Sequence, residues 1–156
     1  HLLGDRELCT HLWGANSPQT PAWQRLAIRI LYPLQAFLIR RALRVSPGHY
    51  QQSCEHIEKL LAGVEGQLAD GRRSVLGDAE INYTDIAFAS LSGVWAHPDE
   101  YGGGAAAGTR IDRERLPMPM KRDMQRWATD YALAAGFVER LYHEERRPAL
   151  AGGARE

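Results

Sequence analysis

The chain has 156 residues, with 44% apolar and 24% charged side chains and a formal net charge of zero. That length supports one domain with a proper core. The charge balance recommends neither nucleic acid nor a membrane surface as partner. Two cysteines, Cys9 and Cys54, lack any CxxC or Cys/His ligand spacing, so they read as free thiols of a reducing, cytoplasmic compartment. No run of 18 apolar residues exists, and the longest helical segment carries five arginines, which argues against a transmembrane span. The start His1-Leu2-Leu3 has neither a Met nor a signal-peptide pattern, and reads as a fragment or a processed form.

In chain order, Leu2, Leu3, Leu8, Leu12 and Trp13 fit one short helix ending near Gly14, and Asn16 to Pro21 then breaks the chain with two prolines. From Pro21 at the first helical position, Trp23, Leu26, Ala27, Ile30, Leu31, Leu34, Phe37, Leu38, Ala42 and Val45 recur at three- and four-residue steps. This predicts a long helix of about six or seven turns. Pro33 in its middle clashes with the carbonyl of Arg29, and predicts a kink. Ser46-Pro47 repeats the start signal for a second long helix, marked by Tyr50, Cys54, Ile57, Leu61, Val64 and Leu68 and ended by Gly71.

The stretch Ile81 to Leu91 predicts a capped core helix. Asn82 is placed to cap its first turn, Asp85 to reach back in a capping box, and Ile81 and Ile86 to form a hydrophobic staple. Almost uncharged after Asp85, this helix is expected to be apolar nearly all round and central. Asp85 beside a Thr has a catalytic reading, but a cap partner at the positive end of a helix dipole explains it better. His97-Pro98-Asp99 stops the helix, and a Gly/Ala-rich loop at 102–108 follows. Leu116-Pro117-Met118-Pro119 leads into a last helical region with two stripes, Met120, Met124, Trp127, Ala128 and Tyr131, then Phe137, Val138, Leu141 and Tyr142. Residues 148–156 read as a frayed tail, and no stretch alternates with the period of a strand.

The Gly77-Asp78 turn leading into Thr84-Asp85-Ile86-Ala87-Phe88-Ala89 resembles the start of the core helix in the C-terminal helical domain of the cytosolic glutathione transferases. Pro21 to Arg25, Leu68 to Asp78 and Ala135 to Arg146 are similar to a bacterial subgroup of that family, so the resemblance spans about residues 20 to 147. It departs at Ala132-Leu133-Ala134, where relatives often carry a proline before Ala-Gly; a continuous helix or a softer bend is compatible with that.

The resemblance implies an all-α bundle of five to six helices, with 1–20 as a leading segment or linker and 21–147 as the domain. It also implies that glutathione, the co-substrate of the parent enzyme, is held by an N-terminal thioredoxin-like domain absent from this chain, together with the thiolate-stabilising residue. This chain then holds no catalytic residue. Its expected role is to line the pocket for a small hydrophobic electrophile, with Arg25, Arg29 and Tyr32 as the pocket-facing groups, and a homodimer is expected. Solvated arginines and a packing tyrosine are the plainer reading of those three. The alternative function is a non-catalytic interaction module of the same fold. A concave cleft near Arg29 and Tyr32 marks the enzyme part, and a flat exposed apolar patch marks the module. An unrelated helical bundle is a third reading.

Other groupings carry less. His49 and His56 with Cys54 between them lack the i,i+4 spacing and third ligand of a metal site. His143-Glu144-Glu145 reads as a charged helix end, and Gly102-Gly103-Gly104 lacks the lysine of a phosphate loop. Arg40, Arg41 and Arg44 read as a solvated face, and Met120, Met124 and Trp127 as core or interface.

Overall fold

A computed structural model of the chain describes residues 2–77, 79–102 and 110–145. All regular structure among these residues is helical. The α-helices are α1 (Arg6–Leu12), α2 (Ala22–Ala42), α3 (Pro47–Leu68), α4 (Tyr83–Ala96), α5 (Met118–Asp130) and α6 (Ala132–Glu144), with short 3-10 turns at Leu2–Gly4 and Arg113–Arg115. The expectations for Asp78, for most of the Gly/Ala-rich loop and for the tail lie outside the described residues.

The chain divides into two compact units, one of His1–His56 with Ala105–Arg122 and one of Ile57–Gly104 with Asp123–Glu156. Residues 1–20 fall within the first unit. Asp5 caps α1 by accepting the Leu8 N–H at 3.0 Å. Cys9 of α1 is buried with Tyr32 and Ala36 of α2, and Leu3 and Trp13 pack against them.

Pro21 sits one residue earlier than expected, as the N-cap of α2, where it offers no side-chain cap. The helix continues through Pro33. Proline has no N–H for the Arg29 carbonyl, its partner four residues back. That carbonyl accepts instead from Arg6 Nη2 at 2.8 Å. Ser46 caps α3 as expected, its hydroxyl accepting the His49 N–H at 3.3 Å.

The long apolar stripe of α2 is not core. Trp23 is 70% exposed and Ile30 63%, with Leu26, Leu34 and Phe37 also exposed, because α2 turns Tyr32 and Ala36 toward α1.

In the second unit α4 packs along α6. Val138 is fully buried, Phe88 meets Phe137 at 6.1 Å between ring centroids, and Trp95 meets Trp127 edge-on at 6.3 Å. α4 is apolar nearly all round as expected, but it is central on one face only: Asp85, Ala89, Ser92, Gly93, Trp95 and Ala96 are buried, while Tyr83, Ile86, Leu91 and Val94 are exposed. Two stripes in the last helical region become two helices. The chain breaks at Tyr131 without any proline, and the carboxylate of Glu65 on α3 accepts the Leu133 and Ala134 N–H groups at 3.0 and 2.8 Å. A carboxylate on these free donors stabilises the new helix start.

Candidate functional site

The expected pocket residues lie on the α2 face that meets α1. Tyr32 is buried, and its hydroxyl donates to the Leu3 carbonyl at 3.0 Å. Burial, then the neighbouring Cys9, pushes its pKa up, against the opposing charge of Arg40. Trp13 packs at 5.8 Å from its ring, and Arg6 lies 6.0 Å from the ring centroid. Arg29 donates to Asn16 Oδ1 at 2.8 Å and to the Ala15 carbonyl at 3.4 Å. Arg40 donates to the Leu3 carbonyl. Arg25 is half-buried.

The geometry thus brings Tyr32 together with Arg6, Arg40, Cys9 and Trp13, and ties Arg29 to the loop before α2. Tyr32 acts as framework, with its proton already committed. Arg6 and Arg40 hold two carbonyls beside it and place positive charge at this end of the first unit. Cys9 is poorly suited to thiolate chemistry, since burial and then the charge of Asp5 raise its pKa.

The start of α4 is the second constellation. Asn82 Oδ1 accepts the Thr84 and Asp85 N–H groups at 2.8 and 3.2 Å, and Asp85 Oδ2 accepts the Asn82 N–H at 2.9 Å, so both arms of the capping box form. The other Asp85 oxygen accepts the Val75 N–H at 2.8 Å. Asn82 Nδ2 donates to Ser74 Oγ at 3.1 Å, and Gly77, at φ 84°, closes that turn by donating to the Ser74 carbonyl at 3.0 Å. Ser74 and Asp85 are completely buried. A carboxylate with both oxygens bonded to backbone N–H groups has a structural task, and this excludes the acid–base reading of Asp85. Ile81 is half-buried and Ile86 is 54% exposed, so the apolar flank of the cap is open to water.

No described group of three His, Cys, Asp or Glu side chains is placed to hold a metal ion. His49 Nδ1 lies 2.8 Å from Ser46 Oγ, a contact within the cap of α3. His143 Nδ1 pairs with Glu100 at 3.0 Å, and that hydrogen bond raises its pKa. Met124 and Trp127 are buried, in keeping with a core role.

Three features escape a reading of the sequence. Glu58 accepts from Trp127 Nε1 at 3.1 Å and pairs with Arg126 at 2.6 Å. With Glu65, seven residues on, it makes α3 the acidic support of α5 and α6. Acids two turns apart on a helix were the available signal, but nothing local names their partners. Gly93 is the third: a Cβ there would come within 2.5 Å of the Tyr142 hydroxyl and 2.8 Å of the Tyr101 ring.

These features define an all-α protein of short and long helices in which no described helix is long and apolar enough to cross a membrane. Compared with protein-family models, curated proteins and solved structures, the chain matches none of them.

Proposed function

We propose that this chain is the helical, electrophile-binding domain of a glutathione transferase, inactive alone, whose parent protein joins glutathione to a small hydrophobic electrophile or uses it to reduce one. The observation that supports this best is the start of α4. The residues that carry the family resemblance form a complete capping box fastened to the preceding turn, the structural task that motif has in the family. The thiol chemistry belongs to a thioredoxin-like partner domain that binds glutathione, and this half contributes position. Arg25 and Arg29 would face the electrophile, with Tyr32 bracing the helix behind them. The free thiols Cys9 and Cys54 fit a cytoplasmic setting.

A specific observation favours the second reading, a non-catalytic interaction module. The apolar face of α2 is exposed, and the Tyr32 hydroxyl is already bonded within the chain. Nuclear magnetic resonance separates the two. A nitrobenzene without a leaving group, as an unreactive stand-in for an electrophile, should saturably shift the Arg25 and Arg29 side-chain signals. Glutathione alone should shift nothing, and Arg29→Gln should weaken the nitrobenzene about five-fold. Unmoved α2 signals at saturating nitrobenzene would sink the electrophile-binding reading and leave the module.

A further inference from the structure

Residues 8–54 hold neither Asp nor Glu, although the whole chain has 19 acids against 19 Lys and Arg. Within that stretch stand Arg25, Arg29, Arg40, Arg41 and Arg44, so the zero net charge of the chain hides a purely basic segment. Helix α2 lies inside it, and its outward face is apolar. Trp23 (70% exposed), Leu26, Ile30, Leu34 and Phe37 form a stripe about 21 Å long at 1.5 Å per residue. Leu31 and Leu38, also exposed, widen it to an arc of about 140° at 3.6 residues per turn. Arg41 stands about five turns after Trp23 and ends the stripe with an exposed charge, and Arg44 follows it just past the helix. Arg29 and Arg40 run along one flank of the stripe. Their hydrogen bonds go to neutral groups, Asn16 Oδ1 and the Ala15 and Leu3 carbonyls, which leave both positive charges uncompensated.

We propose that the outward face of α2 seats this chain on an anionic lipid surface, with the helix lying in the plane of the interface. A basic amphipathic helix does this by sinking its apolar arc to the level of the acyl chains while its cations meet the anionic headgroups. The contact is peripheral: α2 has 21 residues, the length of a span, but its four arginines hold it in the plane. A flat surface reaches the whole of the exposed arc. The walls of a helix-binding protein groove would need room on both flanks of α2, and on the Arg29 and Arg40 side Leu3, Ala15 and Asn16 occupy it. The proposal deepens the interaction-module reading by naming what the α2 face meets, and the outcome of the nitrobenzene titration leaves it untouched.

Co-sedimentation with lipid vesicles tests it. The native chain should bind vesicles of equal parts phosphatidylcholine and phosphatidylserine, and bind pure phosphatidylcholine at least about 30-fold more weakly. Arg41→Gln combined with Arg44→Gln should cost about 30-fold on the mixed vesicles, at about five-fold per cation. Ile30→Glu should cost at least about 10-fold, because an apolar side chain then leaves the interface. All three side chains are exposed, so helical circular dichroism should not change. Trp23 reports the depth: tryptophan emission should shift to the blue on the mixed vesicles, and that shift should vanish in Trp23→Phe while binding persists. Absence of binding to the mixed vesicles overturns the proposal. So does binding that neither the double Gln variant nor Ile30→Glu weakens, or a blue shift that survives Trp23→Phe. A native chain that self-associates in sedimentation equilibrium and ignores the vesicles overturns it as well, since a second copy then covers the face.

Discussion

Asp85 shows how much one buried side chain does in this protein. Its two oxygens accept N–H groups from Val75 and Asn82, and so join a helix start to a turn ten residues upstream. Removing it takes away a cap, worth about 0.5–2 kcal/mol, and leaves a buried donor without a partner, worth about 1–3 kcal/mol. Asp85→Ala should therefore destabilise the chain by about 2–4 kcal/mol in urea unfolding. A change under about 1 kcal/mol would mean that the turn at Ser74–Gly77 is not held by this carboxylate. Glu58 is a second such group. The Trp127 Nε1–H bond, followed by the bond from Arg126, holds its pKa below the usual carboxylate value. A carboxylate whose folded pKa is depressed stabilises above its unfolded pKa, and that stability is lost as pH falls through the folded value. The thermal midpoint should thus fall on acidification below about pH 4.5, and the part lost should shrink in Glu58→Gln.

Among the elements, α2 carries a defect and its repair. Pro33 deprives the Arg29 carbonyl of its helical donor, and Arg6 of α1 supplies another. Pro33→Ala should stabilise the chain by about 2 kcal/mol, since an interior proline costs about 3 kcal/mol relative to alanine. Arg6→Ala should cost about 1 kcal/mol in the native sequence and less on the Pro33→Ala background, where only its contact with the Tyr32 ring is lost. Additivity in that double-mutant cycle would show that the two residues do not act on one carbonyl. In α4, Gly93 is demanded by packing, since Tyr101 and Tyr142 occupy the space of a side chain. Gly93→Ala should lower stability by about 1–3 kcal/mol despite its better helix propensity, because overpacking outweighs that gain. A raised melting temperature would show that the two rings move aside freely.

At the scale of the whole molecule each unit has its own buried residues. The second buries Leu61, Trp95, Trp127, Phe137 and Val138, and the first Leu8, Cys9, Tyr32, Ala36, Ile111 and Leu116. Cys9 therefore reports on opening of the first unit. A thiol reagent should modify half-buried Cys54 at least about ten-fold faster than Cys9, whose thiol is buried and pushed up in pKa. Equal rates, read by mass spectrometry, would mean that the first unit opens readily.

How much of this was legible beforehand follows from the range of each interaction. The N-cap of α3, the capping box of α4 and the stop at His97 depend on residues within one helical turn, and the sequence alone determined them. The all-helical class of the described residues followed as well, since apolar residues recur at three- and four-residue steps and no stretch alternates with period two over a useful length. Which face of a helix becomes core is a different matter. The stripe of α2 has the period of a buried face, yet Tyr32 and Ala36 on its other side are what α1 covers. The break at Tyr131 likewise comes from Glu65, more than sixty residues away in the chain, accepting two backbone donors. The tertiary structure alone decided these points, because burial and the partner of a buried polar group depend on residues far apart in sequence, and periodicity records only that a helix has two unlike faces.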